Sequence, residues 1–178
     1  MKWRLYFGLI LCAFTTSCSD SVHYTFGVIT QEVNGVIEVQ PEAKPLVLVR
    51  MQIATFAQTS QGQVQQARAK LVYPDLDGSY RVLLEDNVSQ LELYFIAHGY
   101  QTAHANFERT LGVKSYQFNV KLETAPNPKG SYYHSLKPLL TQYIVEPRFQ
   151  MPPKDQLALG AWMTEEENQL YPVPKKQP

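Results

Sequence analysis

Four histidines and two cysteines bound the metal and nucleophilic chemistry open to this chain of 178 residues. His98 and His104 stand six positions apart, which matches neither a helical zinc pair nor a His-x-His strand pair. Asp75 and Asp77, with Glu85 and Asp86 behind them, place carboxylates where calcium could sit. An EF-hand loop needs oxygen ligands over about 12 positions with a closing Glu. Here Leu76-Asp77-Gly78 runs into Tyr80 and Arg81 instead, so the passage reads as a turn in which Gly78 supplies a positive φ. There is no Gly-x-Ser-x-Gly elbow, no His-Glu-x-x-His pattern and no Gly-rich phosphate loop. The expectation is a chain that is not an enzyme and that uses no metal and no cofactor.

Cys18 stands in a different setting. Lys2 and Arg4 precede an apolar run from Leu5 to Phe14, and small polar residues follow. That is the build of an export signal over residues 1–17, and its apolar run is shorter than the roughly 20 residues of a membrane span. Thr15-Thr16-Ser17-Cys18 resembles the processing site of bacterial lipoproteins, with Thr15 where that family usually has Leu. Cys12, preceded by bulky Leu11, fits less well. The resemblance implies cleavage before Cys18 and a diacylglycerol on its sulfur. Two or three acyl chains, at about 0.8 kcal/mol per buried CH₂, anchor stably where one does not. The residues alone also allow ordinary cleavage with an unmodified Cys18, or an uncleaved leader acting as anchor. Ser19 directly after the cysteine, with Asp20 only in the next place, resembles outer-membrane sorting rather than inner-membrane retention.

Without residues 1–17 the chain keeps 14 basic and 16 acidic residues, a formal charge of −2. It lacks the basic excess that replaces counterions on phosphate, so nucleic acid is not an expected partner. One remaining cysteine excludes an internal disulfide, and Trp162 becomes the sole tryptophan.

The segments that must position any site read as follows. Residues 18–23 form a short tether and residues 24–124 a β domain. Tyr24 to Thr30 is β-rich, and Asn34-Gly35 is a hairpin signal before Val36 to Val39. Leu46 to Ile53 begins apolar on both faces and then alternates, as a partly central strand does. Residues 58–66 are polar and uncharged, a long hairpin connection unless Val64 to Tyr73 extends the next strand. Tyr80 to Leu84, Leu91 to Ile96 and Tyr116 to Leu122 alternate, the last most cleanly. Six to eight short strands between frequent turns predict an all-β antiparallel sandwich.

Asp75-Leu76-Asp77-Gly78-Ser79-Tyr80-Arg81-Val82, with Leu93-Tyr94-Phe95-Ile96-Ala97-His98-Gly99-Tyr100 after it, resembles the carboxypeptidase regulatory-like domains. Those are transthyretin-like β-sandwiches of bacterial envelope proteins, in which an Asp-Gly turn joins two strands and a later strand ends in Ala-x-Gly-Tyr. The resemblance covers about residues 45–123. It implies structural turns at Asp77, Gly78 and Gly99, and a structural or binding module without an active site.

Residues 125–178 change character. Nine of the 12 prolines lie in the last 53 residues, a density that disfavours long regular elements. Yet Tyr132, Tyr133, Tyr143, Phe149, Trp162 and Tyr171 fall there too, unlike a disordered linker. The segment reads as an extended, Pro-rich C-terminal arm with short helices at Asp155 to Met163 and at Thr164-Glu165-Glu166-Glu167, where Thr164 and Glu167 would form a capping box. Its six aromatics are the expected interface. The functional expectation is an outer-membrane lipoprotein serving as a structural or accessory subunit of an envelope assembly, such as a secretion complex, through this arm. The alternative is a lipoprotein that binds glycan, peptidoglycan or another small ligand on exposed aromatic faces. Packing of the arm on its own β domain would satisfy the same residues.

Overall fold

A computed structural model describes residues 21–29, 32–59, 62–85, 88–109, 115–125 and 130–172. The leader 1–17 and Cys18 lie outside the described residues. The chain builds two sheets and two helices. The larger sheet has the strand order β1-β7-β6-β3-β4, with β1 Ser21–Ile29, β3 Leu46–Thr59, β4 Gly62–Val72, β6 Val88–Ile96 and β7 Thr102–Arg109. The smaller has β2 Glu32–Glu38 between β5 Ser79–Leu83 and the short β8 Tyr116–Gln117, while β9 Val120–Lys121 also pairs with β2. Strand β1 begins at Ser21, inside the segment expected as a tether.

The run from Leu46 to Val49 is apolar on both faces because both faces are covered. Val47 and Val49 join the core between the sheets, whereas Leu46 and Leu48 join a second core beneath the helices. Strand β6 repeats the arrangement, sending Leu91, Leu93 and Phe95 to one side and Tyr94 and Ile96 to the other.

Several expectations are corrected by this topology. The pairing is not wholly antiparallel: β1 runs parallel to β7, and β2 runs parallel to β8 and β9. Asn34-Gly35 is no turn but the middle of β2. The glycine serves close approach, since a Cβ at Gly35 would lie 1.8 Å from the Phe118 carbonyl oxygen. There the Phe118 amide donates to the Asn34 carbonyl (2.7 Å) and the Val36 amide to Asn119 Oδ1 (3.0 Å), interrupting the ladder between β8 and β9. The alternation over 116–122 still buries Phe118, Val120 and Leu122. Strand β7 has no counterpart among the expected strands. Its inner positions include the small Ala103 and Ala105, which weaken the hydrophobic signal.

The C-terminal segment is not extended over most of its length. It forms α1 Ser131–Val145 and α2 Pro153–Leu170, joined by a 3₁₀ turn Pro147–Phe149. Tyr132, Leu136, Leu140 and Tyr143 recur at helical spacing and are buried. Pro138 sits inside α1, but at an exposed position, so the backbone bond it removes faces solvent. Pro153 opens α2, where a missing amide hydrogen costs nothing. Thr164 is no cap: it lies inside α2, and its hydroxyl donates to the Gly160 carbonyl at 3.0 Å. Both helices lie on the outer face of the larger sheet, burying Leu46, Leu48, Leu71 and Ile96 against Leu140, Leu159 and Met163.

Candidate functional site

Where α2 meets the border between the sheets, a cleft of about 760 Å³ opens. Ala158, Ala161 and Trp162 of α2 form one wall, Pro45 and Leu46 the floor, and Val36 to Val39 with the turn 73–78 the other wall. The turn is built by its own residues. The Gly78 amide donates to the Asp75 carbonyl (2.9 Å), and the Ser79 amide donates to Asp77 Oδ1 (2.9 Å). That amide holds the Asp77 carboxyl below the usual carboxylate range. Gly78 takes φ +80, and a Cβ there would also meet the Ile37 carbonyl oxygen at 2.4 Å. Leu76 projects from the turn with 99% of its surface exposed.

Behind the Trp162 wall lies a buried polar hub. Glu166 of α2 accepts hydrogen bonds from the Tyr132 hydroxyl of α1, and its other oxygen meets His98 Nδ1. The side chains of His98 and Glu166 are 3% and 1% exposed. The His98 ring stacks on Trp162 with centroids 4.5 Å apart and 7° between planes. Its amide donates to the Ala43 carbonyl at 2.7 Å, and Nε2 lies 3.7 Å from a Glu165 carboxylate oxygen. Glu165 in turn pairs with Lys44, which holds its carboxyl below the usual range, with His98 adding to the effect. Glu166 thus ties His98 at the end of β6, α1 and α2 together, and nothing nucleophilic contacts His98 in the described hub.

Two further ionisable contacts join neighbouring elements, one between β3 and β6 and one between β4 and α2. Arg50 of β3 donates through Nη1 to both carboxylate oxygens of Glu92 of β6, each at 2.8 Å. Burial works against the Arg50 charge, but Glu92 outweighs it and holds the guanidinium more firmly protonated. Arg50 also lies 5.5 Å from the Phe149 ring centroid, and the Tyr94 hydroxyl donates to Glu92 at 3.1 Å. Burial pushes the phenols of Tyr133 and Tyr143 up to about 12, helped at Tyr133 by Glu167 and opposed at Tyr143 by Arg50. Asp155, in the first turn of α2, accepts the Leu71 amide of β4 at 3.1 Å. Strand β4 is the sheet's edge, so this carboxylate satisfies an edge donor that would otherwise be buried unpaired.

Five of the six aromatics expected at a partner interface are buried inside the chain: Tyr132, Tyr133, Tyr143, Phe149 and Trp162. Tyr171 is 44% exposed and its hydroxyl meets His134 Nε2 at 2.7 Å. Of these aromatics only Trp162 borders the cleft. Gly99 takes φ +76 at the end of β6. Among the described residues, no group of three or more His, Cys, Asp or Glu is placed to hold a metal ion. Sequence reasoning missed Glu166, Asp155 and Leu76. Asp155, Leu159, Trp162 and Glu166 share one helical stripe, so a carboxylate at each end of an apolar face was the available sign. For Leu76 the sign was a large apolar residue between two aspartates in a turn.

No protein-family model matches the chain, and no curated protein matches it.

Proposed function

We propose that the chain is a lipid-anchored, non-enzymatic docking module of the bacterial outer membrane, an accessory subunit of an envelope assembly, built on a transthyretin-like sandwich. The observation that carries this reading is the use of the ionisable groups: buried His98, Glu166, Glu92 and Asp155, with half-buried Arg50, all fasten one element to another. What is left open on the surface is an apolar cleft, which suits binding. The two-sheet core and the Asp-Gly turn with Gly78 at positive φ support the sandwich resemblance.

The topology also supports a defined orientation. Ser21 pairs with Thr102, and Leu46 pairs with Ile96, so the start of β1 and the cleft floor lie at the same end of the larger sheet. Cys18 precedes Ser21 by three residues, a reach of about 10 Å. An acylated Cys18 would therefore hold the cleft end towards the membrane. The arm's role is revised accordingly: it shapes a docking site rather than extending to a partner. Deleting residues 126–178 would uncover Leu46, Leu48, Leu71 and Ile96, so truncation is a poor probe of partner release.

The anchor is tested by radiolabelled palmitate and membrane fractionation of the full chain and of Cys18→Ser. The expected result is label and membrane association in the first and neither in the second. Equal labelling of the two, or none in either, would overturn the anchored reading.

A further inference from the structure

We propose that the cleft seats a segment of a partner protein in which large apolar side chains stand next to lysine or arginine. The inference rests on the docking reading above and adds the chemistry of the partner. The inner surface of the cleft is mostly apolar, and Leu76 at its lip has no cover among the described residues. Its charge is one-sided. Glu38, Asp75 and Asp77 line the rim, and none of them belongs to an ion pair among the described residues. The one basic lining residue, Lys44, is already paired with Glu165.

An apolar floor inside an uncompensated acidic rim favours a cationic, apolar occupant and repels an acidic peptide or an anionic lipid headgroup. The volume of about 760 Å³ accommodates a few side chains of such a segment. Trp162 on the cleft wall reports occupancy directly.

The test uses the full chain with Trp3→Phe in nanodiscs of zwitterionic lipid, where Trp162 is the only tryptophan. Acetyl-Leu-Lys-Leu-Lys-Leu-Lys-Leu-amide and its counterpart with Glu in place of Lys are titrated against Trp162 emission. The expected result is a saturable shift with the Lys peptide, at least about tenfold tighter than with the Glu peptide. Leu76→Ser and Glu38→Gln, both at exposed positions, should each weaken it while circular dichroism stays unchanged. The absence of a saturable shift, equal affinity for the two peptides, unchanged binding by Leu76→Ser, or displacement of the Lys peptide by phosphatidylglycerol vesicles acting at Trp162 would each overturn the proposal. Palmitate labelling at Cys18 is read separately, so failure of the anchor and failure of the cleft remain distinguishable.

Discussion

Between the two sheets, the buried side chains are almost entirely hydrocarbon: Val33, Val47, Val82, Leu93, Phe95 and Phe107 among them. Tyr80 is the polar entrant, and its hydroxyl donates to the Phe118 carbonyl at 2.7 Å. Between the larger sheet and the helices, leucines are interleaved with Tyr94, Tyr132, Tyr133, Tyr143, His98, Glu92, Glu166 and Asp155. Both regions exclude water, but they differ in what they specify. Apolar burial is non-directional and tolerates many arrangements of similar volume. A buried carboxylate that must meet a histidine, a phenol or a strand amide permits one placement of its helix. The sheets are held by the first kind of contact, and the helices, with the cleft they border, are registered by the second.

The contrast can be broken from either side. Phe95, fully buried against Tyr80 and Phe118 at centroid distances of 5.3 and 5.7 Å, should give the largest loss: Phe95→Ala is expected to cost about 3–5 kcal/mol. In urea its whole transition should move, with strand and helix signals falling together. Glu166→Ala leaves His98 and Tyr132 buried without their acceptor. The expected cost is about 3 kcal/mol, seen first as loss of the Trp162 near-ultraviolet signal that the His98 stack sustains.

Alkaline titration strains the helical layer through its phenols. Burial pushes Tyr133 and Tyr143 up to about 12 in the fold, against about 10 in the unfolded chain. Below pH 10 both states keep their protons. Between about 10 and 12 only the unfolded state loses them, so stability falls as pH rises. Absorbance at the phenolate band, followed beside helical ellipticity, should show late ionisation coinciding with loss of helix. Asp155→Ala removes the acceptor of the Leu71 amide for about 1–2 kcal/mol, and should accelerate exchange at that amide. Lys44→Ala breaks an exposed pair with Glu165 and should leave the unfolding midpoint unchanged, because solvent screens such pairs.

The same contrast explains what the sequence disclosed. Alternation of large apolar side chains located β5, β6 and the 116–122 segment, and the run apolar on both faces located β3. The turn at 74–80 was readable because Asp77 and Gly78 have local reasons to be there. Long-range devices were not readable. Gly35 answers to Phe118, far along the chain, although its local context with Asn34 signals a hairpin. Proline density argued against helices, yet Pro138 and Pro153 occupy places where the lost amide is harmless. His98 stood out for its chemistry, but its partner Glu166 was hidden in a run of three glutamates that reads as a solvated face.

The central claim is that residues 131–170 form a layer registered on the sheet by buried polar contacts, and so build the cleft. Hydrogen exchange on the full chain and on Glu166→Gln tests it most directly. The account expects slow exchange throughout α1, α2 and the Leu71 amide in the parent. In the variant, exchange should rise in both helices while Leu91, Leu93 and Phe95 stay protected. Fast exchange of the helices in the parent, or an equal rise at Leu93 in the variant, would contradict it.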